Sequence, residues 1–140
     1  MDQFWSAGGT KALDVVSFHG YPHHPFLDNS PETINDYVTT IKACMSRNGV
    51  RSAIWDTEGS YGNAAYGVKD MNSRVGWLAR SFLLHWSNGV ARYTWYSYHD
   101  DKWGTLLSAS GHLNAVGVAY GKGWPTIHPE AVSAIPHKAV

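Results

Sequence analysis

The sequence predicts an α/β fold: a partial (β/α)8 TIM barrel of about three βα units. Three observations carry this reading. Short apolar runs begin near Val15, Ala53 and Ala91, a spacing of 38 residues each time (15 to 53, 53 to 91). A helical pattern lies between each pair of runs. Each run also ends in polar or aromatic residues that open into a loop. Strands alternating with helices imply parallel pairing through right-handed crossovers. Eight such units need about 250 residues. The chain has 140, so three units form less than half a barrel. A doubly wound sheet fits less well, because no Gly-x-Gly-x-x-Gly follows any strand to cradle a dinucleotide.

The first strand is Asp14-Val15-Val16-Ser17-Phe18, leading into His19-Gly20-Tyr21-Pro22. A helix should then start at Ser30-Pro31-Glu32: a serine N-cap, a proline in the first turn, then an acid. Ile34, Val38, Ile41 and Met45 recur at helical spacing, and Asn48-Gly49 ends the pattern. The second strand runs through Ala53-Ile54-Trp55-Asp56-Thr57 to Glu58, directly before Gly59-Ser60-Tyr61-Gly62. The next helix carries one apolar stripe of Val75, Leu78, Ala79, Phe82, Leu83 and Trp86, closed by Asn88-Gly89. The third strand, Val90 to Tyr96, leads into Ser97-Tyr98-His99-Asp100-Asp101. A shorter helix is expected from about Leu113 to Lys122. The barrel part is thus residues 1–123. Pro125, Pro129 and Pro136 break the remaining stretch, 124–140, which reads as an irregular tail.

Composition narrows the function classes. The formal net charge is zero. No basic run suggests nucleic acid, and no basic amphipathic helix or long apolar span suggests a membrane. The single cysteine, Cys44, rules out an internal disulfide framework and a cysteine-based metal site. No cofactor motif is present. No basic-then-apolar stretch marks the N-terminus as a signal peptide, and the compartment is left open. Seven Trp and eight Tyr exceed what an ordinary core needs. A Trp-rich core and a sugar-binding surface both explain them, since pyranose C–H faces stack on flat rings.

Glu58 is the leading candidate for chemistry. Strand residues two apart share a face. Asp56 and Glu58 should therefore both point into the barrel mouth, with Trp55 and Thr57 toward the helices. The loops after the strands are the face where such barrels act. His23-His24 and His99-Asp100-Asp101 are the weaker features: a divalent metal could use such ligands, but loops near sugar sites are often rich in His and Asp, and no metal is assigned. Ser17 and Ser60 have no partnered His-Asp arrangement, which argues against a serine hydrolase.

From Trp5 to Tyr120 the chain resembles the C-terminal part of clan A retaining glycoside hydrolases, nearest to family 39-like and family 5-like glycosidases. The resemblance rests on His19-Gly20-Tyr21, Trp55-Asp56-Thr57-Glu58-Gly59-Ser60, Trp95, Ser87-Asn88-Gly89-Val90 and Trp103-Gly104-Thr105-Leu106. It implies strands six to eight of the barrel. It also implies an O-glycosidic substrate cleaved by double displacement, with Glu58 as nucleophile. Tyr21 would hold Glu58 by a hydrogen bond, and His19 would contact sugar. Trp95 would form the subsite floor, with Asp100 and Trp103 as further substrate contacts. The acid/base of this clan belongs to an Asn-Glu pair on an earlier strand, and no Asn-Glu occurs in the sequence. The expected partners are a carbohydrate and either the N-terminal part of the barrel or further copies joined through open strand edges. A non-catalytic carbohydrate-binding module and an inactive gene fragment are the competing readings.

Overall fold

A computed structural model describes residues 1–21, 30–62, 68–99 and 103–122. Helix α1 (Asp2–Ser6) and a 3-10 turn (Gly9–Ala12) precede strand β1 (Val15–His19). Helix α2 (Thr33–Arg47), strand β2 (Ala53–Gly59), helix α3 (Met71–Ser87) and strand β3 (Arg92–Trp95) follow. Residues 115–122 form helix α4. The sheet order is β1-β2-β3 and both pairings are parallel. This is the order that strand-helix-strand crossovers produce, and it matches part of a TIM-barrel-like fold. The irregular tail expected over 124–140 lies outside the described residues, as do His23, His24, Asp100 and Asp101.

Among the described residues, helices cover one face of the sheet. Val16 and Ile54 point to it and pack with Ile34, Val38, Ile41, Met45 and Trp5. Ile34 and Val38 are fully buried. Each such side chain contributes about 1.5–3 kcal/mol by leaving water, which clamps α2 to β1 and β2. A second cluster joins β3 to α3 and α4 through Trp95, Trp77, Leu78, Phe82, Tyr61, Leu106 and Val116. On the other face, Ser17 and Thr94 are exposed and Arg92 lies over the Trp55 ring at 4.2 Å.

The helix ends follow local chemistry. Asn48 and Asn88 cap α2 and α3, and Gly49 and Gly89 behind them take φ of +65° and +70°, the left-handed turn glycine allows at little cost. Asp70 caps the start of α3, accepting from the Ser73 N–H at 2.8 Å. The start of α2 differs from expectation. The helix begins at Thr33 with Glu32 at the N-cap, two residues past Ser30. The Glu32 side chain makes no cap bond; it pairs with Arg80 of α3 and takes the Ser30 hydroxyl. A guanidinium thus competes successfully for the acid expected to serve the helix end.

The face of α3 is also turned from expectation. Trp77, Leu78, Ser81, Phe82 and His85 are buried, while Leu83 is exposed. Two polar side chains therefore point inward, and both have partners there.

Candidate active site

The C-terminal end of β2 does not continue as a simple pleat. β1 pairs Phe18 with Asp56 and then His19 with Glu58, so Thr57 is an extra residue in β2. One extra residue reverses the facing of the side chains beyond it. Asp56 and Glu58 consequently part company. The expectation that both point into the barrel mouth is corrected on this ground. Asp56 is fully buried on the helix side of the sheet, where His85 of α3 meets it. Glu58 sits at the open end with its side chain one-third exposed.

Two predicted residues meet the Glu58 carboxyl, and a third packs on one of them. The Tyr21 hydroxyl donates to Glu58 Oε1 at 2.7 Å. His19 Nδ1 stands 3.7 Å from Glu58 Oε2, an ion pair when the imidazole is protonated. Trp103 packs edge-on against the Tyr21 ring, centroids 5.2 Å apart. Burial, and then the bond to Glu58, push the Tyr21 phenol well above its ordinary range. Tyr21 therefore remains a donor and Glu58 its acceptor across neutral and moderately alkaline pH. Tyr37 of α2 fixes the loop, its hydroxyl donating to the Tyr21 carbonyl at 3.1 Å.

Trp95 is placed elsewhere. It is 7% exposed and packs against Trp77 and Tyr61, its indole N–H donating to the Gly104 carbonyl at 2.8 Å. It faces α3, so the expected convergence with Glu58 at the open end is not met. Alternation along β3 explains this: Trp95 shares the covered face with Tyr93. Trp103 is the aromatic that stands beside Tyr21 instead. Asp100 lies outside the described residues.

Sequence reasoning passed over His85. It sits among apolar residues on a helix and carries no motif. Its Nδ1 lies 2.6 Å from the Ser81 carbonyl oxygen and its Nε2 lies 2.7 Å from Asp56 Oδ2. A carbonyl only accepts, so Nδ1 carries a proton. Its ring stacks on Tyr93 at 3.8 Å, 6° from parallel. Ser81, His85 and Asp56 do not make a hydrolase triad. The Ser81 hydroxyl donates to the Leu78 carbonyl, and the group is fully enclosed. The detectable signal was the Trp77, Ser81, His85 spacing of four, one face of a helix.

Among the described residues no group of three or more His, Cys, Asp or Glu side chains is arranged to hold a metal ion. No described helix is long and apolar enough to cross a membrane.

No protein-family model matches the sequence, and a search of curated proteins finds no match. Among solved structures, the fold is similar to a GH128 (subgroup I) endo-β-1,3-glucanase from Amycolatopsis mediterranei, with a TM-score of 0.57 at 20% identity. The match covers 85% of this chain and 49% of that one, so the chain spans about half the length of its neighbour. At this identity the likeness concerns the fold.

Proposed function

We propose that this chain is the C-terminal part of a retaining glycoside hydrolase barrel, its strands being the sixth to eighth, with Glu58 as nucleophile. The observation that carries the reading is the 2.7 Å bond from Tyr21 to Glu58 at the C-terminal end of a parallel sheet. A partly exposed carboxylate held by a neutral phenol is oriented for attack, and simple sugar binding needs no such pair. The fold likeness to a glucanase supports the same reading. The general clan A assignment is retained, with family 39 or family 5 as finer alternatives.

In this mechanism Glu58 attacks the anomeric carbon and the glycosidic C–O bond breaks. Water then displaces Glu58 from the glycosyl-enzyme. The leaving oxygen needs a proton. The described carboxyls that have partners are engaged elsewhere: Asp56 with His85, Asp2 with Arg47, Glu32 with Arg80, Asp70 at a helix start. By the clan resemblance the acid/base would belong to an earlier strand, and Asp100 and Asp101, outside the described residues, are the other carboxyls to test. Without a proton donor, unactivated glycosides should not turn over, since such protonation supplies about 10²–10⁴-fold.

The test uses a substrate that needs no acid. The chain is incubated with a dinitrophenyl 2-deoxy-2-fluoro-β-laminaribioside, which contains the β-1,3 bond named for the structural neighbour. Mass spectrometry should find one glycosyl adduct, on the peptide holding Glu58, absent from Glu58→Gln. An adduct elsewhere, or none, overturns the assignment.

A further inference from the structure

We propose that Asp56 is a positioning residue for Glu58, acting through the backbone rather than through substrate. The inference rests on the assignment of Glu58 as nucleophile and extends it to the buried layer behind the site. One carboxyl oxygen, Asp56 Oδ1, accepts from the Gly20 N–H at 3.0 Å and from the Glu58 N–H at 3.2 Å. The other, Oδ2, is held by His85 Nε2 at 2.7 Å. A fully buried side chain thus ties together the bulge carrying Glu58, the loop carrying Tyr21, and helix α3.

The arrangement leaves little slack. The Gly20 N–H also donates to the Glu58 carbonyl at 2.9 Å, so the two segments are bonded directly as well as through Asp56. A Cβ at Gly20 would stand 2.1 Å from Asp56 Oδ2, and one at Gly59 would stand 2.8 Å from the Gly20 carbonyl oxygen. Both glycines permit the close approach on which the tie depends. His85 cannot drift, because its second nitrogen is bonded to Ser81 and its ring is stacked on Tyr93. A carboxylate two residues from the nucleophile is turned away from the site and used to fix where the nucleophile stands.

Catalytic geometry is sensitive to this, since a displacement of about 1 Å costs roughly 10²-fold in rate. Asn at position 56 keeps an oxygen for the two amides and offers an N–H to His85; Ala keeps neither. The first measurement needs no activity. Through-hydrogen-bond NMR couplings in the unaltered chain should link the Gly20 and Glu58 amides to the Asp56 carboxyl carbon. Hydrogen exchange should show the Glu58 amide protected in the parent and in Asp56→Asn, and opened selectively in Asp56→Ala while α2 stays protected. The second measurement is the rate of Glu58 labelling by the fluorinated laminaribioside. It should fall about 10²-fold in Asp56→Ala per folded molecule, with most of the loss recovered in Asp56→Asn. Should Asp56→Ala fail to fold, the couplings in the parent still decide. Absent couplings with fast exchange at Glu58, or a folded Asp56→Ala that labels at the parental rate, overturn the proposal. Failure of the parent to label, with the couplings present, counts against the nucleophile and leaves the tie itself established.

Discussion

Tyr21 and Glu58, 37 positions apart in the chain, meet in a 2.7 Å hydrogen bond at the end of two adjacent parallel strands. Removing the hydroxyl leaves the ring against Trp103 and takes away one hydrogen bond to a carboxylate. Such bonds contribute about 1.5–3 kcal/mol. Tyr21→Phe should therefore slow labelling of Glu58 by roughly 10- to 150-fold, with little change in thermal stability. Equal labelling rates in the two proteins would show that the hydroxyl does not orient the carboxylate.

The same phenol predicts a response to alkali. The Tyr21 and Tyr93 phenols are held above their ordinary value of 10.0, in both cases chiefly by burial. The folded state therefore binds these protons more tightly than the unfolded state. Their contribution is complete below pH about 10 and is lost as the pH rises above it. Melting temperature should fall above that pH, and Tyr93→Phe should make the fall shallower. The Tyr93 hydroxyl is buried beside the Ser81 side chain with no hydrogen bond of good geometry among the described residues, so Tyr93→Phe should change stability little at pH 7.

His85 and Asp56 form a pair that is almost wholly excluded from water. Removing one partner of such a pair costs about 3–5 kcal/mol, because the other is left buried and unmatched. His85→Ala should lower the urea midpoint accordingly. A loss below about 1 kcal/mol would mean that water reaches Asp56 once the ring is gone.

Each outer strand, β1 and β3, has one hydrogen-bonded neighbour among the described residues. Among the described residues no helix packs on the face bearing Ser17, Trp55 and Thr94. Parallel sheets are usually covered on both faces, and open edges recruit further strands. Light scattering should find dimers or larger assemblies. A monomer at high concentration that melts cooperatively would show that three strands suffice alone.

Much of this fold was legible along the chain. The spacing of the apolar runs gave three strands and their parallel order, because crossover handedness admits few alternatives. Asn48-Gly49 and Asn88-Gly89 marked helix ends through a conformation that glycine favours. His19, Tyr21 and Glu58 could be grouped because each stands at the end of a strand in a parallel sheet, and such ends lie side by side.

Facing was not legible in the same way. Whether Glu58 shares the covered face of Asp56 or turns to the open end depends on one extra residue, Thr57, and that residue is extra only relative to β1. Register between strands is a property of two segments, so neither segment states it alone. Trp95 suits a sugar platform and a core equally well until Trp77 and Tyr61 close over it. His85 and Ser81 read as polar residues on a helix until the sheet presents Asp56 to the histidine. The chain by itself determined which segments form strands and which carboxylate ends one of them. Tertiary structure alone decided which polar groups are buried together, because a buried polar group is tolerated only where distant parts of the chain bring it a partner.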